Sequence, residues 1–290
     1  MKLGVSSYSY SRCGLNSLEV LKKAKEMGFE AVEFAGLSTP PEGETLITYA
    51  ARVKEEAEKI DIKIINYAVS ADFINGSNGD LEKEIERVKE EVRVAKALGV
   101  PCMRHDATWG YQKQYSGARG FDDALPRLAE GCRAVTEFAQ ELGIKTTIEN
   151  HGFFCQDSDR VEKLINAVNH PNFGVLLDIG NFLCVDEDPV KAVGRLLPYV
   201  FHVHVKDFHV KSGMLPNPGK GWFKSRGGNY LRGAIIGHGD VPVVQCLNLL
   251  KNAGYDGFLS IEFEGIEDPI VGIAIGAENL RRYVEDVMRA

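Results

Sequence analysis

The 290-residue sequence has no long apolar run and no cluster of basic residues, and each absence excludes a class of protein. No segment offers the roughly 18 uninterrupted apolar residues of a membrane-spanning helix. The formal net charge is −7, and no stretch is dense in lysine and arginine, which argues against nucleic-acid binding. We therefore expect neither a membrane nor a nucleic acid as a partner.

Paired cysteines and nucleotide-binding loops are also missing. The six cysteines are scattered without a CxxC pair, which favours reduced thiols over a disulfide framework or a zinc knuckle. The first residues, MKLGVSSYSY, lack the apolar run of a signal peptide, so we expect a cytoplasmic protein. No GxGxxG or GxxxxGK loop occurs, and no nucleotide cofactor is expected.

One pattern recurs along the chain: a helix end, a glycine, a short apolar strand and then a polar cluster. Glycine just past a helix adopts the left-handed conformation that closes it. The pattern occupies residues 22–34, 95–106, 139–151 and 251–264. Further apolar strands are predicted at residues 2–6, 62–66, 174–178 and 200–206. Strands and helices therefore alternate along the whole chain.

Apolar strands that alternate with amphipathic helices indicate a parallel sheet covered by helices. About eight such units in this length predict an α/β fold, a (β/α)8 TIM barrel, as a single domain over residues 1–290. A doubly wound open sheet is the alternative. We expect Asn16 and Glu19 to open the first helix as a capping pair, and Asp240 to cap the helix that contains Val244.

The connection after Lys206 is unusually long. Residues 207–240 are rich in glycine and lysine and lack a clean periodicity, which predicts a long loop insertion. Long irregular loops in compact domains are often lids or binding loops. A surface loop without a function fits the sequence equally well.

Polar side chains follow the predicted fifth to eighth strands. Functional groups of a barrel gather at the C-terminal strand ends, so Glu149, Asp178, His204 and Glu262 are expected at one level. Three carboxylates packed together would repel one another unless a divalent cation joins them. Mostly oxygen ligation with one nitrogen favours Mn²⁺, with Mg²⁺, Co²⁺ or Zn²⁺ as alternatives. Other strand ends carry Glu33, Arg104 and Asp106, to which the sequence assigns no role.

Several other polar residues fit both a functional and a structural interpretation. His151 lies two residues after Glu149, where its side chain would reach the same end of the barrel as the predicted metal ligands. Lys206 fits a contact with a substrate oxygen or a salt bridge to a metal-site carboxylate. His202 is expected to be a buried, hydrogen-bonded histidine one layer down. Three further residues are candidates for substrate contact: His238, Arg226 and Trp109. The alternatives are a place at a helix N-terminus for His238, solvent exposure for Arg226 and core packing for Trp109.

The strand ends TIENHG, LLDIGN, FHVHVKD and LSIEFEG, together with GHGDV, resemble the xylose isomerase-like barrel superfamily over nearly the whole chain. They are most similar to its sugar phosphate isomerase/epimerase branch, which includes ketose 3-epimerases and inosose dehydratase. The resemblance implies that Glu149, Asp178, His204 and Glu262 hold the metal. It also implies that Glu149 and Glu262 are catalytic, removing and returning the substrate proton from opposite faces.

The chain departs from the epimerase pattern at Asn181, where the epimerases have a histidine, and at His151. Asn181 cannot transfer a proton at neutral pH, but it can hydrogen-bond a substrate hydroxyl. His151 would suit the catalytic base of an elimination, since its ordinary pKa is close to neutral. These departures leave room for a lyase or dehydratase acting on an inosose or a 3-keto-glycoside, including the cleavage of C-glycosides.

Four hypotheses follow. The first is a metal-dependent isomerase or epimerase that abstracts a proton beside the metal-bound carbonyl of a keto-sugar or sugar phosphate, and the second is the lyase. An endonuclease IV-type phosphodiesterase would need more histidines and a basic groove, against seven histidines and a negative charge here. A non-catalytic carbohydrate-binding subunit would lack the metal ligands. By resemblance we expect a dimer or tetramer, or a complex with an accessory subunit, and a small carbohydrate as substrate.

Overall fold

The structure is a computed structural model that describes residues 1–112 and 119–289. In this part of the chain eight parallel strands close into a barrel: β1 (Lys2–Ser6), β2 (Ala31–Ala35), β3 (Lys63–Val69), β4 (Cys102–His105), β5 (Lys145–Glu149), β6 (Phe173–Asp178), β7 (Val200–Val205) and β11 (Phe258–Ile261). Three further strands, β8 to β10, lie outside the barrel. Because β1 pairs with both β2 and β11, the ring is closed. The predicted (β/α)8 TIM barrel is confirmed, and the open sheet is excluded.

Eight helices of the described residues cover the barrel: α1 (Ser17–Glu26), α2 (Leu46–Lys59), α3 (Leu81–Leu98), α4 (Phe121–Glu141), α5 (Ser158–Val168), α6 (Pro189–Leu196), α7 (Val243–Asn252) and α8 (Pro269–Arg289). Their buried faces have aliphatic residues at helical spacing, as Val88, Val92 and Ala95 show in α3. The predicted capping pair is confirmed, because Asn16 and Glu19 form a reciprocal capping box. Within the described ranges, no helix combines the length and hydropathy that a membrane crossing needs.

Alternation along the strands separates an apolar outer layer from a polar barrel interior. In β7, Val203 and Val205 belong to the core between sheet and helices, whereas His202 and His204 contact Glu33 of β2 across the barrel. Side chains of a strand alternate between the two faces of a sheet. The fold therefore has its main apolar core outside the barrel and leaves its interior free for polar groups.

The insertion after β7 is not the irregular loop that its composition predicts. It contains a small antiparallel sheet of β8 (Asp207–Lys211), β9 (Phe223–Lys224) and β10 (Tyr230–Ala234), in the order β8-β10-β9. Phe208 and Leu231 pack with Cys184 into a separate apolar cluster. The prediction of an irregular loop was wrong because these strands are too short, and too interrupted by glycine, to show a period.

The expected helix cap at Asp240 is also wrong. Helix α7 begins after Pro242, which occupies the N-cap position without a side-chain hydrogen bond. Oδ2 of Asp240 instead accepts the backbone N–H of Val210 at 2.7 Å. Val241 and Pro242 intervene between the carboxylate and the helix, so Asp240 joins β8 to the turn that follows β10.

Candidate active site at the mouth of the barrel

The four predicted metal ligands meet at the C-terminal end of the barrel. Glu149 and Asp178 end β5 and β6, His204 lies in β7, and Glu262 directly follows β11. One donor atom from each lies within 4.8 Å of the other three, and all four residues are buried. Nδ1 of His204 is 3.7 Å from Glu149 Oε1, 3.9 Å from Asp178 Oδ2 and 3.6 Å from Glu262 Oε2. The structure thus brings these four side chains together.

The donor atoms of this cluster fit a divalent cation. Among the described residues, neither His204 Nδ1 nor Asp178 Oδ2 has a hydrogen-bond partner, although both atoms are buried. A buried polar atom without a partner is costly, and a bound ion would satisfy both. Burial raises the pKa of Asp178 to about 6; Lys206 opposes this rise, and the nearby carboxylates of Glu262 and Glu149 add to it. Three oxygen ligands and one nitrogen suit a divalent ion.

Glu33 supports His204 from behind. Its side chain is fully buried, with Oε1 2.7 Å from His204 Nε2 and Oε2 2.9 Å from His202 Nε2. Burial alone would raise the pKa of Glu33, but His204 and His202 hold it well below its usual range. Nε2 of His204 therefore donates to Glu33, which turns Nδ1 towards the carboxylates, the side on which an ion would bind. His202 also lies 2.8 Å from Ser260 Oγ, in agreement with the expected buried, hydrogen-bonded histidine.

Lys206 and Asn181 connect the two glutamates of the cluster. Lys206 Nζ is 2.6 Å from Glu262 Oε2 and 3.4 Å from Glu264 Oε1. The structure therefore shows the salt bridge, which was one of the two interpretations of this lysine. Asn181 donates to Glu149 Oε1 at 3.0 Å and accepts from Lys206 at 3.2 Å. Asn181 thus contacts a metal-ligand candidate directly, and it does not line the adjoining cavity.

A second charged network holds His151 beside Glu149. Arg104, from β4, places Nη2 2.7 Å from Glu149 Oε2 and 2.9 Å from Asp106 Oδ1. Nδ1 of His151 lies 3.1 Å from Asp106 Oδ1. Burial lowers the pKa of His151, but Asp106 and Glu149 raise it above its ordinary value. The indole of Trp109 packs edge-to-face on the imidazole, with 5.1 Å between ring centroids.

These groups open into a cavity of about 570 Å³. Glu149, Glu262, His151, Lys206 and Trp109, all predicted as functional residues, line it. A larger cavity of about 1160 Å³ lies at the opposite end of the barrel, where the strands begin. The N-terminal end of a TIM barrel serves stability and its C-terminal end serves catalysis, so the smaller cavity is the candidate active site.

His238 and Arg226 do not reach this cavity. Two backbone N–H groups around His238, those of Gly237 and Gly239, donate to Asp207, and the histidine is left exposed. Arg226 forms an ion pair with Asp157 at 2.5 Å, which anchors the insertion to the loop after β5. The structure therefore places neither residue where the sequence predicted a substrate contact.

Several cavity residues had no assigned role at the sequence level. They include the polar side chains of Tyr8, Glu33, Arg104 and Glu264. Glu264 and burial raise the pKa of the Tyr8 hydroxyl. The only sequence signal for Glu33 and Arg104 was their position at a strand end, which does not separate a functional residue from a structural one.

Comparison with known proteins gives a family and a fold. Residues 21–283 match a family model described as a xylose isomerase-like TIM barrel. An inosose dehydratase from Clostridium perfringens is 26% identical over 170 residues, which cover 55% of this chain and 53% of that protein. The chain therefore spans about half the length of the curated relatives that it matches.

Solved structures match over the full barrel. A structure of an L-ribulose 3-epimerase has a TM-score of 0.75 at 16% identity, covering 99% of this chain and 96% of that one. A structure described as the IOLI protein with a binding zinc atom has a TM-score of 0.77 at 18% identity, covering 99% of both chains. At these identities the likeness shows the fold alone.

Proposed function

The chain belongs to the xylose isomerase-like TIM barrel family, and we propose that it is a divalent-metal-dependent isomerase or epimerase of a keto-sugar. The observation that carries this proposal is the buried cluster of Glu149, Asp178, His204 and Glu262, with donor atoms within 4.8 Å of one another. Similar proteins named as inosose dehydratase and L-ribulose 3-epimerase support carbohydrate chemistry at such a site.

The four clustered side chains would hold the ion. A bound divalent cation polarises a substrate carbonyl and so makes the neighbouring C–H group more acidic. We propose Mn²⁺ as the native ion, since the donor set has three carboxylates and one imidazole. The buried atoms without partners, His204 Nδ1 and Asp178 Oδ2, support this assignment among the described residues.

Glu149 and Glu262 are the proposed proton carriers. Their strands, β5 and β11, are separated in the barrel by β6 and β7, so the two carboxylates approach the cluster from different sides. A carboxylate on each side of the sugar would take a proton from one face and return one to the other. Burial raises the pKa of Glu262, but Lys206 and His204 hold it well below its usual range, which keeps this base ionised.

A lyase or dehydratase is the second candidate, and the position of His151 favours it. This imidazole lines the cavity next to Glu149 and is held by Asp106. A third proton-transfer group beside the two glutamates would protonate a leaving hydroxyl or aglycone oxygen while Glu149 takes the proton from carbon. The inosose dehydratase relatives support the same alternative.

Proton exchange with solvent tests the proposal. The Mn²⁺-loaded protein is incubated in D₂O with ketohexoses, inososes and 3-keto-glycosides, and NMR follows each substrate. We expect deuterium uptake at a carbon beside the carbonyl, abolished by EDTA and by Glu149→Gln. Glu90→Gln is the matched control, because Glu90 is exposed on α3 and does not line the cavity.

The products separate the two candidates. An isomer keeps its mass, whereas an elimination loses water or an aglycone. Absence of exchange on every substrate, with the metal bound, would overturn both.

A further inference from the structure

The active-site cavity includes apolar side chains that the proposed chemistry does not use. Leu37, Leu46, Val69 and Trp109 line it, at the ends of β2 to β4 and at the start of α2. In the closed barrel, β2, β3 and β4 lie across from β6, β7 and β11. The apolar wall therefore faces the metal-ligand cluster across the barrel mouth.

The side chains of this wall are open to the cavity. Trp109 is 56% exposed, although it borders a concave site. Its indole packs against Gly152, where an added Cβ would lie 3.1 Å from the ring, so glycine leaves room for this position. Leu37 and Leu46 are half-buried and pack against the core. Apolar surface that lines a cleft beside polar groups is typical of a ligand site.

The charges of the cavity disfavour a phosphate group. Among the described residues that line it, the lysine and arginine side chains are Lys206 and Arg104, and both already pair with carboxylates. Glu91 and Glu264 add further negative charge to the rim. Away from the metal-ligand cluster, a phosphate dianion would meet these carboxylates without an unpaired lysine or arginine of the described lining to offset the repulsion.

We propose that the substrate is a glycoside whose sugar ring lies at the metal-ligand cluster and whose apolar, aromatic aglycone packs on Leu37, Leu46, Val69 and Trp109. The assignment of the sugar ring rests on the proposed function. The cavity of about 570 Å³ falls within the range of roughly 300–1,000 Å³ for pockets that enclose larger organic ligands. The apolar wall would add binding energy by removing the aglycone from water.

Three probes that share one sugar ring test this subsite by binding alone. They are phenyl β-D-glucopyranoside, methyl β-D-glucopyranoside and D-glucose 6-phosphate, titrated calorimetrically into the Mn²⁺-loaded full-length protein. We expect the phenyl glucoside to bind at least about tenfold more tightly than the methyl glucoside, a difference of about 1.4 kcal/mol. The phosphate should bind more weakly than the methyl glucoside.

Variants locate the effect. Leu37→Asn and Trp109→Ala should each lose most of the phenyl advantage and leave the affinity for the methyl glucoside within about twofold. Leu215→Asn is the matched control, because Leu215 is exposed on the insertion and does not line the cavity. Trp109→Ala changes a largely exposed side chain, so it keeps the test decisive where Leu37→Asn fails to fold.

The outcomes separate the subsite from the reaction. Equal or weaker binding of the phenyl glucoside, including no measurable binding of either glucoside, would overturn the subsite, as would tightest binding of the phosphate. A tenfold phenyl advantage that Trp109→Ala removes supports the subsite, even where no substrate exchanges deuterium and the proposed reaction fails.

Discussion

Substitution of Glu33 by glutamine tests whether the contacts behind the metal ligands control the site. Glu33 is fully buried and pairs with His204 at 2.7 Å and with His202 at 2.9 Å. Glutamine keeps the size of the side chain but removes its charge. It also replaces one carboxylate oxygen by an amide N–H donor, which faces one of the two imidazoles and leaves a single oxygen to accept from both.

The expected loss follows from the contact with His204. Hydrogen bonds to charged groups contribute about 1.5–3 kcal/mol, against about 0.5–1.5 kcal/mol for neutral pairs. The difference, about 1–1.5 kcal/mol, corresponds to roughly a tenfold loss of metal affinity. Residues that orient a ligating histidine typically contribute about 10–100-fold.

An opposing effect reduces this loss but does not reverse it. Burial lowers the pKa of His204, but Glu33 and Glu262 raise it well above its ordinary value, so an incoming ion must displace a proton from the imidazole. Glu33→Gln makes that proton easier to remove. A divalent ion has twice the charge of the proton that it displaces, so loss of the carboxylate weakens the metal-bound state more.

Calorimetric titration with Mn²⁺ at pH 7.5, in two buffers of different ionisation enthalpy, measures both quantities. We expect Glu33→Gln to bind Mn²⁺ up to about tenfold more weakly and to release fewer protons than the unmodified protein. Glu91→Gln, the same change elsewhere in the cavity, should leave the affinity unchanged. A folded Glu33→Gln variant with an affinity within about twofold of the unmodified protein would refute the reasoning.

Three further predictions concern pH, metal and the insertion. Because the pKa of Asp178 is raised to about 6, Mn²⁺ affinity should fall as the pH drops below about 6, and an affinity unchanged between pH 7.5 and 5 would contradict this. Without metal, the same shift contributes stability that is fully present below the unfolded pKa of about 4 and is lost as the pH rises through about 6. Mn²⁺ at a hundred times its dissociation constant should add about 2.7 kcal/mol to the free energy of unfolding, which EDTA should reverse in denaturant titrations. Asp207→Ala should lower the free energy of unfolding by at least about 2 kcal/mol, because the N–H groups of Gly237, Gly239 and Val241 donate to this carboxylate. Amide hydrogen exchange at these three residues should become faster, and unchanged exchange would contradict the prediction.

The barrel and the main ligand set were predictable because local and global rules agree there. A glycine after four of the described helices, followed by a short apolar strand, marks the repeating unit, as at Gly143 before β5. Each strand then delivers its last polar side chain to the same end of the barrel. Glu149 and Asp178 needed no knowledge of long-range contacts to be placed together.

The side-chain contacts that hold the metal-ligand residues in place were not predictable, because they form across the barrel. Glu33 acts through His204, which is 171 positions away in the sequence. Whether Lys206 forms a salt bridge or contacts a substrate depends on its distance to Glu262. No sequence spacing determines that distance. The ion pair of Arg226 was not predictable either, because its partner, Asp157, belongs to another loop.

Anomalous diffraction from a crystal of the Mn²⁺-loaded protein would test the central claim most directly. The account predicts one anomalous peak, ligated by His204 Nδ1 and by the carboxylates of Glu149, Asp178 and Glu262. A second group of donors, Glu33, His202 and His204, is also close enough to hold an ion. A peak on that Nε2 side of His204, or no peak at either position, would contradict the account.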